Sequence, residues 1–200
     1  MWVPLSSYID FERLRKERIE RARGSAKKFN LECLLCFLPE NIRYLTIGPH
    51  YTFYRYVLFP VKDEPTLFDS GMTEWSYRIM FRWLKTRHSI PIPAGLIFNE
   101  PAYRRQLEKF ANQIKTELKE CGLSKETIGL DTHHPAIIRA LEGAGLKVSS
   151  EGAKSMLDAR KIKTKDKVEL LRVAHSIVEA CFAEAKRTIR PGVTEKASMV

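Results

Sequence analysis

Residues 127–150, TIGLDTHHPAIIRALEGAGLKVSS, decide the fold class. The stretch opens with a short apolar run, TIGLD, and closes with a second short run, KVSS, and both are typical of strands. Between them residues 135–144 have the apolar spacing of a helix, and Gly145 follows as a stop signal. A strand, a helix and a strand in succession predict an α/β arrangement, in which helices are layered on a sheet.

The chain before this stretch adds strands to the predicted sheet. LECLLCFLP (31–39) is an almost continuous apolar run, which indicates a strand buried on both faces. YRYVLFPV (54–61) and TLFDS (66–70) predict two more strands, close enough in sequence to form a hairpin. We therefore expect one sheet with helices around it.

Four longer helices are predicted at residues 11–29, 73–85, 101–121 and 165–188. Asp10 and Thr164 are suited to cap the first and last of them, and Gly122 to end the third. In the second helix Trp75, Ile79 and Trp83 should share one apolar stripe. The last helix should bury a longer stripe: Val168, Leu171, Ala174, Val178, Cys181, Phe182 and Ala185.

Composition narrows the class of protein. The chain has 44% hydrophobic and 29% charged residues and no run of about 18 apolar residues, so we expect a soluble globular protein without a membrane span. No secretory signal is visible at the N-terminus, and the four cysteines are too scattered for a disulfide framework, which together favour the cytoplasm. The net charge of +10 permits nucleic-acid binding, but charges of both signs are interleaved, which favours solvated helix faces.

Two small groups of metal-binding residue types have simpler interpretations. Cys33 and Cys36 lie in an apolar strand with no second cysteine pair, so we expect buried thiols. Asp131, His133 and His134 form either a metal corner after a strand or an ordinary surface loop, and the loop is favoured. The sequence contains no phosphate loop, nucleophile elbow, HExxH pair or dinucleotide fingerprint, and hence no complete catalytic constellation.

Residues 41–55, NIRYLTIGPHYTFYR, are too aromatic and too interrupted by Gly48-Pro49 for a routine helix. Arg55 among aromatic rings suits a ligand carboxylate, which a guanidinium binds with two hydrogen bonds. Alternatively, the arginine stacks on aromatic rings at a sheet edge or a subunit contact. Residue types alone leave both possibilities open.

Three segments, taken in order, resemble the creatinase/prolidase superfamily of pita-bread metallohydrolases. They are PENIRYLTIG (39–48), ARKIKTKDKVELLRVA (159–174) and IRPGVTE (189–195). The resemblance implies a creatinase/prolidase N-terminal-like α/β domain at residues 1–158, with a mixed sheet flanked by helices. Residues 159–200 would then begin the pita-bread catalytic domain, which is incomplete in this chain.

The resemblance also implies a function, that of an Xaa-Pro aminopeptidase or dipeptidase acting on proline-containing peptides. Members of this superfamily use two divalent metal ions, manganese, cobalt or zinc, whose ligands lie beyond the IRPGVTE turn. This chain alone would therefore hold no metal and be inactive. In a homodimer, a Phe-x-Arg element reaches the substrate of the neighbouring subunit, and it corresponds to Phe53 and Arg55 here. A slip in register after Gly48 would place His50 and Tyr51 there instead.

Two other functions are compatible with these residues. A non-peptidase relative, a creatinase-like hydrolase or a dimethylsulfoniopropionate lyase acting on a small molecule, would use the aromatic rings to bind a quaternary ammonium or sulfonium group. A non-catalytic module that binds proteins or nucleic acid is the alternative outside enzymes, and the positive charge is compatible with it, although nucleic acid is the less favoured partner.

Overall fold

The structure is a computed structural model that describes residues 9–48, 55–69, 71–92 and 99–194, and within 71–76 only the side chain of Trp75. The helices are α1 (Phe11–Lys28), α2 (Pro39–Thr46), α3 (Gly71–Met80), α4 (Glu100–Glu120), α5 (Pro135–Gly143), α6 (Glu151–Lys161) and α7 (Lys165–Thr188). The strands are β1 (Cys33–Cys36), β2 (Tyr56–Pro60), β3 (Thr66–Asp69), β4 (Lys85–His88), β5 (Thr127–Leu130) and β6 (Lys147–Ser149).

The six strands form one mixed sheet in the order β4-β3-β2-β1-β5-β6. β2 runs antiparallel to both of its neighbours, β1 and β3, whereas β3–β4, β1–β5 and β5–β6 are parallel pairs. The β2–β3 hairpin and the β5–α5–β6 unit confirm the predictions from sequence. The predicted fold class, a mixed sheet flanked by helices, is confirmed as well.

Helices cover both faces of this sheet, and β1 shows how. Cys33 and Leu35 belong to the core formed with α4 and α5, while Leu34 and Cys36 belong to the core formed with α1, α2 and α6. All four side chains are fully buried, as expected for a strand covered on both sides. The prediction that the two cysteines are buried thiols is confirmed.

A pair of glycines lets α6 lie directly on β5. A Cβ atom on Gly152 of α6 would come within 2.6 Å of the backbone of Leu130, and one on Gly129 of β5 within 3.0 Å of the Gly152 Cα. The first distance is too short for any side chain, and the second would be a very tight contact. The helix and the strand therefore touch through their main chains.

The predicted helix caps are present. The Asp10 carboxylate accepts a hydrogen bond from the Arg13 backbone at 2.9 Å, and the Thr164 hydroxyl accepts one from the Lys167 backbone at 3.2 Å. Gly122 follows α4 with a φ of +72°, the left-handed conformation that favours glycine.

Residues 41–46 are helical, which corrects the prediction that residues 41–55 are too interrupted for a helix. Pro39 occupies the first turn of α2, where its missing N–H costs nothing. Ile42 and Leu45 bury one side of the helix, and Ile47 ends it in the left-handed conformation with a φ of +58°. The interruption at Gly48 comes after the helix is complete.

The predicted helix at 73–85 is wrong in its second half. α3 ends at Met80, and β4 begins at Lys85 as an edge strand that was not predicted. Trp75 and Ile79 are exposed, and Tyr77 is buried. Because β4 is short and reads KTRH, it lacks the apolar alternation that identifies strands in a sequence.

α7 is a helix as predicted, but its apolar stripe is not buried. Leu171, Val178 and Phe182 are 46%, 47% and 72% exposed, and Ala174, Cys181 and Ala185 are exposed as well. Helical spacing identifies residues that share a face, and it carries no information about what covers that face.

The chain divides into two compact units. One comprises Arg15–Ile162, and the other combines Met1–Leu14 with Lys163–Val200. In the second unit the Arg13 guanidinium donates two hydrogen bonds of 2.7 Å to the Asp166 carboxylate. The predicted domain division between residues 158 and 159 stays a prediction, and α6 runs without a break through that position.

Candidate functional site

Three ionic side chains gather at one edge of the sheet, where β1, β3, β4 and β5 end and β2 begins. Arg55 directly precedes β2, Asp69 is the last residue of β3, and Asp131 directly follows β5. In open α/β sheets the edge at the carboxyl ends of the parallel strands is where ligands bind. We therefore take this edge as the candidate functional site.

Arg55 and Asp69 form a buried ion pair. Nε of Arg55 donates to Oδ1 of Asp69 at 2.7 Å, and Nη2 donates to Oδ2 at 3.0 Å. Both side chains are completely inaccessible to solvent. Two parallel hydrogen bonds between charged groups fix the guanidinium in one orientation.

Tyr77 of α3 completes this arrangement. Nη1 of Arg55 donates to the Tyr77 hydroxyl at 3.0 Å, and the guanidinium carbon lies 4.6 Å from the centre of the Tyr77 ring. Arg55 thus stacks on an aromatic ring of its own chain beside the sheet. This agrees with the second interpretation of Arg55 from the sequence, in which the arginine packs on aromatic rings.

The hairpin register explains why Arg55 meets Asp69. Tyr56 pairs with Phe68 across the antiparallel strands, so the residues one step further out lie opposite each other. The sequence prediction missed Asp69 and Tyr77 as partners of Arg55. The signal for Asp69 was present, because continuing the predicted hairpin pairing by one residue would have identified it.

Gly48 lies against the same tyrosine. A Cβ atom on Gly48 would come within 2.6 Å of the Tyr77 hydroxyl oxygen and 2.8 Å of the ring carbon that bears it. Gly48 and Arg55 therefore both contact Tyr77, and they bracket residues 49–54 in the sequence. The predicted contact residues His50, Tyr51 and Phe53 belong to that segment and lie outside the described residues.

Asp131 is held by the start of α2. Its Oδ1 accepts a hydrogen bond from the Phe37 backbone at 2.7 Å, and its Oδ2 accepts from the Leu38 backbone at 3.1 Å and the Asn41 amide at 2.9 Å. Burial raises the pKa of the Asp131 carboxyl, and the hydrogen bonds from Asn41, Phe37 and Leu38 act in the opposite direction. Asp131, at the end of β5, thus satisfies the backbone N–H groups of Leu38, the N-cap residue of α2, and of Phe37 just before it.

These contacts decide between the two interpretations of Asp131, His133 and His134. The carboxylate is turned to α2, while both histidines are exposed in the loop before α5. Across the described residues, no group of three or more His, Cys, Asp or Glu side chains could hold a metal ion. The described residues therefore do not form a site for the two metal ions, whose ligands the resemblance places beyond the IRPGVTE turn.

Two of the three segments that carry the resemblance touch each other. Arg160 donates from Nη1 to the Asn41 side-chain oxygen at 2.8 Å, and the Tyr44 hydroxyl donates to the Ala159 carbonyl at 2.9 Å. Asn41 therefore links Asp131 at the sheet edge to the end of α6. The asparagine and tyrosine of the first segment have specific partners in the second.

No protein-family model matches the sequence, and no curated protein does. Among solved structures, the chain is similar to an Xaa-Pro dipeptidase from Bacillus anthracis, with 22% identity and a TM-score of 0.61 over 92% of this chain and 46% of that one. A dipeptidase from Pyrococcus horikoshii OT3 has 17% identity and a TM-score of 0.61 over 90% of this chain and 46% of that one.

A prolidase from Pyrococcus furiosus gives 15% identity and a TM-score of 0.59, with 90% of this chain and 49% of that chain covered. Our chain spans less than half the length of these three proteins. It has the fold that the prolidase and dipeptidase structures contain over this length, which confirms the resemblance at the level of the fold.

Cys33, Cys36, Cys121 and Cys181 are all free thiols. Within the part of the chain that the structure describes, no helix combines the length and the apolar character required to cross a bilayer.

Proposed function

We propose that this chain is the N-terminal portion of an Xaa-Pro peptidase-like metallohydrolase. The observation that carries the proposal is the likeness in fold to an Xaa-Pro dipeptidase, which extends over 92% of this chain and only 46% of that enzyme. The hydrogen bonds from Arg160 to Asn41 and from Tyr44 to Ala159 support it, because they join residues of two segments that carry the sequence resemblance.

In the complete enzyme two divalent metal ions, manganese, cobalt or zinc, would activate water for attack on the peptide carbonyl. Residues of this chain would contribute to dimerisation and to the substrate site rather than to metal binding. We place the enzyme in the cytoplasm, where four free thiols remain reduced.

Phe53 and Arg55 are the proposed substrate contacts, reaching the active site of the neighbouring subunit, and a slip in register after Gly48 would put His50 and Tyr51 there instead. Aromatic rings offer an apolar wall for a proline ring. A substrate carboxylate that binds Arg55 has to compete with Asp69, which holds the guanidinium through two hydrogen bonds in a site closed to solvent. Phe53 is therefore the better residue for a first test.

The test uses the full-length product of the gene, loaded with Mn²⁺, and measures hydrolysis of an Xaa-Pro dipeptide against the matching Xaa-Ala dipeptide. The proposal expects cleavage of the first and little of the second. Absence of Xaa-Pro hydrolysis by a folded, metal-loaded protein would contradict the peptidase proposal and favour the non-peptidase relative.

Contact in trans has its own test. A Phe53→Ala subunit and a subunit with a disabled metal site are each expected to be nearly inactive as homodimers. Co-expressed, they form heterodimers in which the second subunit supplies Phe53 to the intact metal site of the first, so activity returns. Trp75→Ala, which removes an exposed aromatic side chain, is the control. No return of activity in verified heterodimers would show that Phe53 does not act across the interface.

A further inference from the structure

Arg18 is a buried cation for which the described residues offer no hydrogen-bond acceptor. It lies in α1, is 8% exposed, and its guanidinium carbon lies 5.3 Å from the centre of the Tyr44 ring. Among the described residues, no carboxylate, carbonyl or hydroxyl oxygen accepts a hydrogen bond from it, and its nitrogen atoms keep some contact with solvent. Burial lowers the pKa of Arg18, because the charged form loses its hydration. Buried charges are normally paired, so this arrangement requires an explanation.

Two more arginines surround the same tyrosine. Burial raises the pKa of Tyr44, and the positive charges of Arg21, Arg18 and Arg160 act against that rise. Arg21 donates to the Ile162 carbonyl through one of its nitrogens, and a guanidinium has five N–H donors, so further donors remain on Arg21. Both Arg21 and Arg160 are half-buried and thus reach solvent.

Two glutamates lie near the three arginines of this cluster. Glu40 approaches Arg160 at 4.0 Å, and Glu17 is close enough to Tyr44 to affect its pKa. One carboxylate oxygen of Glu17 is buried and accepts no hydrogen bond within the described residues. Within the described part of the chain, Arg18 and Arg21 thus have unused donors, and Glu17 has one unused acceptor oxygen.

We propose that Arg18, Arg21 and Arg160, arranged around Tyr44, form a binding site for a small oxyanion of the phosphate type. Arg18 is the buried anchor, and the other two arginines form the rim. The unprotonated oxygens of a hydrogenphosphate group accept hydrogen bonds from the guanidinium groups. Its protonated oxygen donates to the orphaned oxygen of Glu17, which a fully deprotonated oxyanion cannot do.

This site uses none of residues 50–55, and it does not depend on the proposed peptidase activity. The first measurement is calorimetric titration of the full chain with inorganic phosphate at constant ionic strength, with sulfate and acetate as comparison anions. We expect saturable binding of phosphate and weaker binding of sulfate and of acetate. Absence of saturable phosphate binding, or equal heats for the three anions, would overturn the proposal.

Arg18→Met is the decisive variant, and Arg104→Met is its matched control, because Arg104 lies on an exposed helix face at 71% side-chain exposure. The site predicts at least about a tenfold loss of phosphate affinity for the first and no change for the second. Arg21→Met removes a rim donor without disturbing the buried anchor, and it should weaken binding less. Wild-type affinity in Arg18→Met would refute the site.

Thermal unfolding separates binding from a structural role. If Arg18 binds an anion, its buried charge destabilises the folded protein when no anion is bound. Arg18→Met should then unfold at the same temperature as wild type, or a higher one, in phosphate-free buffer. Added phosphate should then raise the unfolding temperature of wild type and not of the variant. A variant that unfolds earlier yet responds fully to phosphate would assign Arg18 to packing alone.

Discussion

Asp69 and Asp131 are two buried carboxylates at the same edge of one sheet, and they are stabilised in different ways. Asp69 faces a guanidinium that binds both of its oxygens. Asp131 faces two backbone N–H groups and one amide, all of them neutral. Both are almost inaccessible to solvent, so the difference lies in the partners and not in the depth of burial.

The comparison shows what each arrangement costs when it is disturbed. An ion pair loses most when one charge is removed, because the other charge stays buried without compensation. A carboxylate held by neutral donors loses hydrogen bonds and leaves polar groups unsatisfied, which is a smaller penalty. The predictions below test this ranking.

The largest effect is expected for Arg55→Ala. It leaves the Asp69 carboxylate buried without a cation and should lower the free energy of unfolding by about 3–5 kcal/mol, measured by urea denaturation. The control is the double variant Arg55→Met/Asp69→Leu, which removes both charges and should recover most of the loss. If the single and double variants were equally unstable, the buried charge would not be the cause.

Asp131→Ala is expected to have an intermediate effect. It orphans the backbone N–H groups of Phe37 and Leu38 at the start of α2, and it should cost about 2–3 kcal/mol in the same measurement. Glu142→Ala, on the exposed side of α5, is the control and should change little. A loss as large as that of Arg55→Ala would erase the distinction between the two carboxylates.

Tyr77→Phe should have a smaller effect. It removes the hydroxyl that accepts from Arg55 and keeps the ring on which the guanidinium stacks, so the expected cost is about 1 kcal/mol. Tyr103→Phe on α4 is the matched control, because its hydroxyl makes no hydrogen bond among the described residues. Equal costs for the two variants would show that the bond to Arg55 contributes nothing measurable.

The smallest effect is a difference in pH dependence. Burial raises the pKa of Asp131 above its ordinary 3.8, so the folded protein binds this proton more tightly than the unfolded chain does. The protonated carboxyl therefore stabilises the fold fully below pH 3.8, and this contribution is lost as the pH rises through the raised pKa. The cost of Asp131→Asn should therefore be greatest in acid and decrease toward neutral pH. Urea midpoints of wild type and variant across that range measure this directly.

Asp166 is the control, because the pH dependence of its contribution to stability should have the opposite sign. Hydrogen bonds from Arg13 lower the pKa of Asp166, so its contribution is present above the ordinary value and is lost as the pH falls. Asp166→Asn should thus cost most at neutral pH. Parallel slopes for the two variants would mean that the environments of Asp131 and Asp166 do not differ as described.

The sequence predicted those elements in which local pattern and tertiary environment agree. β1 is an apolar run buried on both faces, and α4 buries the stripe that its spacing identifies: Leu107, Phe110, Ile114 and Leu118. Caps at Asp10 and Thr164 follow from residue type, because the oxygen and the orphan N–H groups are close in the chain.

The remaining features depend on contacts between distant parts of the chain. β4 is a strand because it pairs with β3 and forms ion pairs with the acidic end of α4. The Arg87 guanidinium lies 3.2 Å from the carboxylates of both Glu117 and Glu120. Tyr77 could not be assigned to Arg55 from spacing, since the two belong to different elements. α4 buries its apolar stripe, whereas α7 exposes a stripe with the same helical spacing. The spacing alone does not indicate which other element, if any, packs on such a stripe.

The meeting of Gly129 and Gly152 restricts how sequences with this fold can diverge. At Gly48 an added methyl group would strike the Tyr77 side chain, and a second substitution that shortens that side chain could make room. At Gly152 the methyl group would strike the main chain of β5, which is present whatever residue stands there. No compensating substitution is available, so this position stays glycine for as long as α6 rests on β5.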